Sequence, residues 1–294
     1  MVTGGAGFIG SHVVEALLAR GDDVLVLDDL STGKRESVPD GAELREVDVR
    51  EPLDGHFAGA DACFHLAAQV DVRVAVERPA DDASVNVLGT VRVLEAARAH
   101  GTQVVFASTG GAIYGECEGP AREDAERRPL APYGTSKLAG EEYLATYNRL
   151  YGTNHVSLRY ANVYGPRQDP KGEAGVVAIF LGVLARGETP RIFGDGTQTR
   201  DYVYAGDVAR ATLAAMGKGG VFNVGTGVET SVLELYYLCR RIAGAETEPE
   251  PAPARLGELE RSVLDSTLAE RELGWRAEVG LEEGLRLTWD SLRR

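Results

Sequence analysis

The chain has 294 residues, with 45 acidic and 31 basic side chains and a formal net charge of −14. This acidic balance argues against nucleic acid or an anionic membrane as the main partner. A hydrophobic share of 44% suffices for a substantial core in one large domain or two unequal ones.

The glycines at positions 4, 7 and 10 lie between a scrap of apolar strand (Met1, Val2) and an amphipathic helix. This spacing allows a sharp turn, close approach to a pyrophosphate and tight packing of the helix, although three glycines also fit an ordinary turn. The next strand, residues 24–27, ends in Asp28, which is placed to bind ribose hydroxyls and to repel a 2′-phosphate. Strand, glycine turn, helix, strand and acid in this order predict a dinucleotide site.

Only two apolar residues precede the glycine turn, so either the native chain starts before Met1 or its first strand is short. Further strands are predicted at residues 44–47, which run into Asp48-Val49, at 61–66, which precede Ala67-Ala68, and at 104–108. A helix is predicted from residue 82 to 99, with Gly101 just past its end. Strands that alternate with helices predict a parallel sheet covered on both faces.

A long helix from residue 133 to the stop at Gly152 is followed by a sixth strand at 155–160. Residues 162–175 are rich in Gly, Pro and charge and predict a binding loop, and 176–186 predict a helix. Ser231 and Glu234 form a capping box that opens a helix to residue 243. An acidic connector at 246–253 and a closing helix at 281–292 complete the chain.

We therefore predict an α/β protein: a doubly wound (Rossmann) parallel sheet with a smaller C-terminal substrate-binding lobe. The dinucleotide domain is predicted to span residues 1–165, with returning segments from about 199–225. Residues 166–294 are predicted to form mainly the second lobe.

The three cysteines, Cys63, Cys117 and Cys239, are odd in number and share no metal-ligand spacing. The histidines show no paired spacing either, so no metal ion is predicted. The N-terminus shows no signal-peptide pattern, and no apolar run approaches the length of a membrane span. We expect a soluble, cytoplasmic protein with reduced thiols.

Tyr133 and Lys137 lie four residues apart at the start of the long helix and hence on one helical face. A free tyrosine has a pKa near 10 and is a poor base at neutral pH. A nearby ammonium group and an oxidised nicotinamide would both favour the phenolate. The same spacing arises by chance on solvated helices, but the glycine turn and Ser108-Thr109 at a strand end favour a catalytic interpretation.

With these motifs the chain resembles the extended short-chain dehydrogenase/reductase family and, within it, the UDP-sugar 4-epimerases. The resemblance covers nearly the whole chain. It rests on residues 3–10, Asp28, 108–115, Tyr133 and Lys137, 159–167, 200–202, 207–209 and 253–275. It implies bound NAD, a UDP-sugar substrate, a homodimer, and catalysis by Tyr133, Lys137 and Thr109. Counting back from Tyr114 instead of forward from Phe106 would put Gly110 in the place of Thr109, and Ser108 is another source of the hydroxyl.

The resemblance also implies two sets of binding residues. The predicted NAD-binding residues are Gly4, Gly7, Phe8, Ile9, Asp28, Asp29, Asp48, Val49, Leu66, Ala67, Ala68, Ser108, Tyr133, Lys137 and Tyr160. The predicted substrate-binding residues are Thr109, Asn86, Asn162, Val176, Val177, Arg200, Arg255 and Ser262. Within these, Arg200 and Arg255 are expected to grip the diphosphate, and Ser262 to border the sugar C2 substituent.

Sugar-nucleotide 4,6-dehydratases carry an Asp-Glu pair where this chain has Gly110-Gly111, so elimination of water is not expected. The predicted reaction is inversion at C4 of a UDP-hexose through a transient 4-keto sugar, with UDP-glucose and UDP-galactose as substrates and the N-acetylated pair as further ones. The alternatives are a UDP-uronate 4-epimerase, a 4-keto sugar-nucleotide reductase, and a catalytically silent NAD-binding sensor.

Overall fold

A seven-stranded parallel sheet forms the centre of the molecule in a computed structural model that describes residues 1–170, 175–254 and 259–293. In sheet order its strands are β10 (Gly220–Val224), β6 (Val156–Tyr160), β5 (Gln103–Thr109), β4 (Ala62–His65), β1 (Val2–Thr3), β2 (Leu25–Asp28) and β3 (Glu43–Glu46). Every neighbouring pair is parallel. Because the chain winds outward from the centre in both directions, the predicted doubly wound sheet is confirmed.

Helices cover both faces of this sheet. They are α1 (Phe8–Arg20), α2 (Asp54–Phe57), α3 (Val72–Glu77), α4 (Pro79–Ala83), α5 (Gly89–His100), α6 (Gly110–Ile113), α7 (Pro132–Tyr151) and α9 (Ala205–Ala214), with a 3₁₀ turn at Arg35–Ser37. Helices α1 and α9 pack together on one face, over a core that includes Val13, Leu17 and Val208. Helices α5 and α7 pack on the other, over a core that includes Leu94 and Leu144.

The helix predicted at 82–99 is divided. Helix α4 begins with Pro79 and runs into a π-helical turn, Ser84–Leu88, before α5 starts at Gly89. A Cβ on Gly89 would lie 2.8 Å from Cγ2 of Val49, so α5 packs too closely on the loop after β3 for a side chain there. The extra residue in the π turn changes the helical register before this contact and turns Asn86 inward, where it is 1% exposed.

A second sheet forms the smaller lobe. Its strands are β7 (Asn162–Tyr164), β9 (Thr199–Tyr204), β11 (Glu229–Ser231) and β13 (Arg261–Ser262), and β8 (Arg191–Phe193) pairs separately with β12 (Glu250–Ala252). The helices here are α8 (Val176–Ala185), α10 (Val232–Ala243), α11 (Thr267–Leu273) and α12 (Leu281–Leu292).

Sequence patterns and structure differ in three places within and around this lobe. The predicted loop at 162–175 begins with strand β7, and the predicted connector at 246–253 contains β12. Of the segment at 199–225, α9 and β10 return to the large sheet, whereas β9 belongs to the small one. The predicted capping box of Ser231 and Glu234 is present. Among the described residues, no helix combines the length and the apolar character needed to cross a bilayer.

Candidate active site

The carboxyl ends of the parallel strands meet at one edge of the large sheet, where ligands bind in open α/β folds. Residues predicted to bind NAD follow or end five of these strands. Gly4 follows β1, Asp28 ends β2, Asp48 follows β3, the segment 66–68 follows β4, and Tyr160 ends β6. The topology therefore brings side chains and loops from distant parts of the chain to the same edge.

In the glycine turn, Gly4 and Gly10 lie in direct contact with other backbone atoms. Gly4 has φ +71, in the left-handed region, and a Cβ on it would lie 2.5 Å from the backbone nitrogen of Ala67. A Cβ on Gly10 would lie only 2.0 Å from the carbonyl oxygen of Gly4. Side chains at either position would push helix α1 or the loop after β4 away from the turn, so both glycines are required for this geometry.

The first turn of α1 is suited to bind an anion. Gly7 is the N-cap and supplies no side-chain cap, and the first turn, which begins with the half-buried Phe8 and Ile9, contains no acidic residue. The free N–H groups and the positive end of the helix dipole are therefore available to a phosphate group. The residues present fit the pyrophosphate of a dinucleotide.

Asp28 connects the glycine turn to the end of β2. Its carboxylate accepts hydrogen bonds from the backbone N–H groups of Ala6 and Leu30, both at 2.9 Å, and the residue is 6% exposed. Burial raises the pKa of Asp28 above its usual range, while the two backbone hydrogen bonds lower it. Each oxygen retains a lone pair that can accept from a ribose hydroxyl.

Other residues predicted to bind NAD have side chains that are engaged by the protein itself. Asp29 accepts from Ser31, and Asp48 forms a salt bridge with Arg50 that lowers the pKa of the carboxyl. Val49 is 4% exposed, and the Tyr160 hydroxyl pairs with Thr212 in the core. These residues support the rim of the site through their backbone and packing, and Leu66, Ala67 and Ala68 are half-buried beside the glycine turn.

Lys137 lies beneath the site rather than at its surface. It is 3% exposed, its Nζ donates to the carbonyl of Ala107 at 2.9 Å, and the same Nζ lies 4.8 Å from the centre of the Phe106 ring. Burial lowers the pKa of Lys137 to about 8, although the charges of Asp82 and Glu141 act in the opposite direction.

Tyr133 is half-buried one helical turn before Lys137. Burial raises the pKa of its phenol well above the ordinary value, and the negative charge of Asp82 raises it further. The expectation that the ammonium group of Lys137 and an oxidised nicotinamide together favour the phenolate concerns the NAD-bound protein and stays a prediction. Desolvation of the phenolate dominates, so Tyr133 is protonated before a ligand binds.

Thr109, Asn162 and Ser262 converge on one point. A Cβ on Gly111 would lie 3.5 Å from Asn162 Oδ1, 3.9 Å from Thr109 Oγ1 and 4.0 Å from Ser262 Oγ. Ser262 pairs with Arg200 in the small sheet, and Asn162 pairs with Tyr202 along the same edge of β9. Since paired residues point to the same face of a sheet, Arg200 lies on the face that carries these polar groups.

Ser108 faces away from this cluster. It is 4% exposed, and its hydroxyl donates to Glu141 at 2.5 Å. Successive residues of a strand point to opposite faces, which explains why Thr109 reaches the cluster and Ser108 does not. Gly110 has no hydroxyl to contribute, and a Cβ there would lie 2.5 Å from the Leu264 side chain.

The remaining predicted substrate residues differ in accessibility. Asn86 is 1% exposed, and its amide is engaged by Gln69 and Asp82, so a positioning role fits it better than direct ligand contact. Val176 is half-buried at the start of α8, whereas Val177 is 1% exposed in the core of the small lobe. Arg255 lies outside the described residues.

Sequence reasoning did not single out the buried polar residues around Tyr133 and Lys137. Asp82 is 0% exposed and accepts a hydrogen bond from Ser136, and Glu141 forms a buried salt bridge with Arg159. The available signal was a set of polar residues on the inner faces of otherwise apolar helices and strands. Among the described residues, no group of three or more His, Cys, Asp or Glu side chains is arranged to hold a metal ion.

Together, the doubly wound sheet and its strand-end site define a Rossmann-type, dinucleotide-binding α/β protein. Residues 1–225 match the model of the NAD dependent epimerase/dehydratase family, and the chain belongs to this family. The UDP-glucose 4-epimerase of Mycolicibacterium smegmatis is 48% identical over 309 residues, which cover 100% of this chain and 98% of the relative. The resemblance found in the motifs is thereby confirmed.

Two crystal structures share the fold over almost the entire chain. UDP-glucose 4-epimerase with UDP-glucose from Thermotoga maritima has a TM-score of 0.97 and 48% identity, with 99% of this chain and 97% of that chain covered. UDP-glucose 4-epimerase in complex with NAD from Thermus thermophilus has a TM-score of 0.95 and 50% identity, with 99% and 98% covered.

Asp28 predicts the choice between NAD and NADP. Protein stripped of nucleotide should bind NAD at least about tenfold more tightly than NADP, because the buried carboxylate repels a 2′-phosphate. Calorimetric titration with both nucleotides measures the ratio. Asp28→Asn should reduce the preference, whereas the matched change in the neighbouring carboxylate, Asp29→Asn, should retain it. Equal affinity of the unaltered protein for both nucleotides would contradict this assignment.

Proposed function

We propose that the protein is an NAD-dependent epimerase that inverts C4 of a UDP-hexose and interconverts UDP-glucose and UDP-galactose. The names of its full-length relatives support this substrate class. The observation in the chain itself that carries the proposal is the convergence of Thr109, Asn162 and Ser262 near the strand ends, beside the helix of Tyr133 and Lys137. This arrangement offers hydroxyl and amide groups to a sugar next to a candidate acid–base pair.

The glycine turn and Asp28 would hold NAD, which would supply a reversible hydride acceptor for C4 and a positive charge that favours the Tyr133 phenolate. Tyr133 takes the proton of the 4-hydroxyl as C4 becomes a ketone and returns it after the flat 4-keto sugar has turned its other face. Lys137 holds its charge beneath the site through the carbonyl of Ala107. Thr109 donates to or accepts from the reacting hydroxyl and keeps it oriented.

Gly110 and Gly111 fit simple epimerisation. The acid pair that a dehydratase needs is replaced by residues without side chains, so no group is placed here to protonate a leaving hydroxyl. We assign NAD to residues 1–165 and the returning segment, and the sugar nucleotide mainly to 166–294.

The nucleotide part of the substrate must be held while the sugar turns. We assign this task to Arg200, whose guanidinium suits a diphosphate, and to Arg255. Asn162 contacts the diphosphate or the sugar, and Val176 borders the uracil. Many contacts to UDP and few contacts to the hexose would let the hexose ring rotate while the substrate stays bound through UDP.

We further propose that the protein is a cytosolic homodimer. Helices α3, α5 and α7 and the π turn pack side by side and expose the apolar side chains of Val72, Val76, Leu88, Tyr143 and Leu150. A second copy of this chain would cover them. Sedimentation should give twice the chain mass for the unaltered protein and for Leu287→Asp, an exposed leucine on α12. Leu150→Asp should shift the mass towards that of one chain, and a monomeric parent protein would refute the dimer.

Tyr133→Phe tests the catalytic assignment. The variant should fold and retain bound NAD but lose about a hundred- to ten-thousand-fold in turnover of UDP-glucose to UDP-galactose, the typical contribution of a general acid–base group. Sugar analysis of the products gives the rate, and Tyr151→Phe, an exposed tyrosine on the same helix, should keep full activity. Retention of more than about a tenth of the parental rate in Tyr133→Phe would assign the proton transfer to another group.

Ser262 predicts a pocket that accepts an N-acetyl group at C2 of the sugar. Its side chain is small and borders the same space as Thr109 and Asn162, so UDP-N-acetylglucosamine should turn over as well as UDP-glucose. Ser262→Tyr should suppress the N-acetylated substrate and largely spare UDP-glucose, because a clash excludes more than a filled gap gains. A panel that also includes UDP-glucuronate measures both effects. Equal losses on the first two substrates would show that Ser262 does not control access.

A further inference from the structure

Asp82 is a fully buried carboxylate next to the predicted acid–base pair. It lies in α4 just before the π turn and is 0% exposed. Its Oδ1 accepts from Gln69 Nε2 at 3.0 Å and from Asn86 Nδ2 at 2.9 Å, and its Oδ2 accepts from Ser136 Oγ at 2.5 Å. Three neutral donors thus surround a group that would be costly to bury without partners.

The neighbouring amides are oriented so that they donate hydrogen bonds to Asp82. The backbone N–H of Asp71 donates to Gln69 Oε1 at 2.6 Å, which turns Gln69 Nε2 towards Asp82. Asn86 is fixed in the same way, because its Oδ1 accepts from the Gln69 N–H and its Nδ2 donates to the Gln69 carbonyl, both at 2.9 Å. With both amides oriented by the backbone, Asp82 is the acceptor at which the network ends. Asp71 directs its own carboxylate to the first turn of α3.

The third donor connects this network to the catalytic helix. Ser136 directly precedes Lys137 and follows Tyr133 by three residues, and it is 6% exposed. Asp82 therefore joins three segments that meet at the site: the loop after β4, the π turn, and the first two turns of α7. A shift of any one of them would move the phenol of Tyr133 relative to the strand ends.

We propose that Asp82 is a positioning residue of the active site, which clamps the start of α7 to the loop after β4 and balances the charges of Tyr133 and Lys137. The inference rests on the proposed function. The hydrogen bonds of the Asp82 carboxylate come from Gln69, Asn86 and Ser136. Asp82 therefore acts on Tyr133 and Lys137 through Ser136 and through its charge.

The charge of Asp82 acts on both members of the pair. Burial is the largest cause of the raised pKa of Tyr133, and the charge of Asp82 is the second. For Lys137, burial lowers the pKa, and the charge of Asp82 is the larger of two charges that raise it. The second is Glu141 on α7. On the sheet side, the charge of Lys137 faces His65, whose pKa burial lowers to about 3, so that residue is neutral. Asp82 thus helps to keep Lys137 an ammonium ion and Tyr133 a phenol until NAD binds.

Asp82→Asn keeps the shape of the side chain and removes its charge. In NAD-loaded protein, the midpoint of Tyr133 ionisation should fall by about one pH unit, since a neighbouring negative charge no longer opposes the phenolate. The ultraviolet absorbance of the phenolate measures this midpoint when each protein is compared with its own Tyr133→Phe version. The readout requires no turnover, so it stands even if the substrate is not a UDP-hexose.

Turnover provides the second readout. In Asp82→Asn, kcat for UDP-glucose should fall about tenfold while KM changes less than about threefold, because the amide NH₂ that replaces Oδ2 cannot accept from Ser136, and the loosened clamp slows the reaction without removing a substrate contact. Ser136→Ala keeps the buried charge and removes one hydrogen bond of the clamp. It should leave the Tyr133 midpoint within about 0.3 units of the parent and lower kcat severalfold.

Asp207→Asn is the matched control. Asp207 is also buried, but it accepts from the backbone N–H groups of Glu278 and Val279, away from the strand-end site. This change should lower Tm and leave the Tyr133 midpoint and kcat unchanged. An unshifted midpoint in Asp82→Asn would overturn the charge role, and parental kcat in Ser136→Ala would overturn the clamp. If Asp82→Asn does not fold, Ser136→Ala still decides the question of the clamp.

Discussion

The buried salt bridge between Glu141 and Arg159 is the constraint on which the site depends. Arg159 Nη2 lies 2.6 Å from Glu141 Oε2, and the two side chains are 2% and 3% exposed. Ser108 and Tyr114 complete the network through hydrogen bonds to the two charged groups. Because a buried charge without its partner is strongly destabilising, α7 has little freedom to rotate against the sheet. Glu141 lies one helical turn beyond Lys137 on α7. The orientation of the helix that places Glu141 against Arg159 therefore also directs Lys137 to the strand ends.

The contact between the two sheets decides where a sugar can lie relative to a cofactor. Strand β6 ends at Tyr160, and β7 begins at Asn162, so a single residue carries the chain from the large sheet to the small one. Asp201 of β9 accepts from Thr226 and Gly227, which follow β10 of the large sheet. These hydrogen bonds fix β9 at the carboxyl edge of the large sheet. The polar face with Asn162 and Ser262 is thereby held over the end of β5.

Several features were predictable from the sequence because their causes are local. The glycine turn, the acid at the end of β2 and the capping box each depend on neighbouring residues, and all three are present where they were predicted. Gly101 and Gly152 end their helices in the left-handed conformation. This agrees with the sequence, in which each glycine directly follows a segment predicted to be helical. Cys63 is buried, in keeping with its apolar neighbours Ala62 and Phe64. Alternation of strands and helices was enough to predict the parallel sheet.

Other features were decided only by tertiary structure. The motif 108–115 could be counted in two directions, and the sequence left open which residue supplies a hydroxyl, because the pairing of Ser108 with Glu141 is a contact across 33 positions. Likewise, the π turn at Asn86 directly precedes the close packing of Gly89 against Val49, a contact between distant parts of the chain. Burial and Asp82 raise the pKa of Tyr133, and neither is visible in the local spacing that places Lys137 one helical turn away. The sequence alone thus determined the order of strands, helices and motifs along the chain and the chemistry of those motifs. The side-chain directions and the charge balance depended on residues that meet only when the chain is folded.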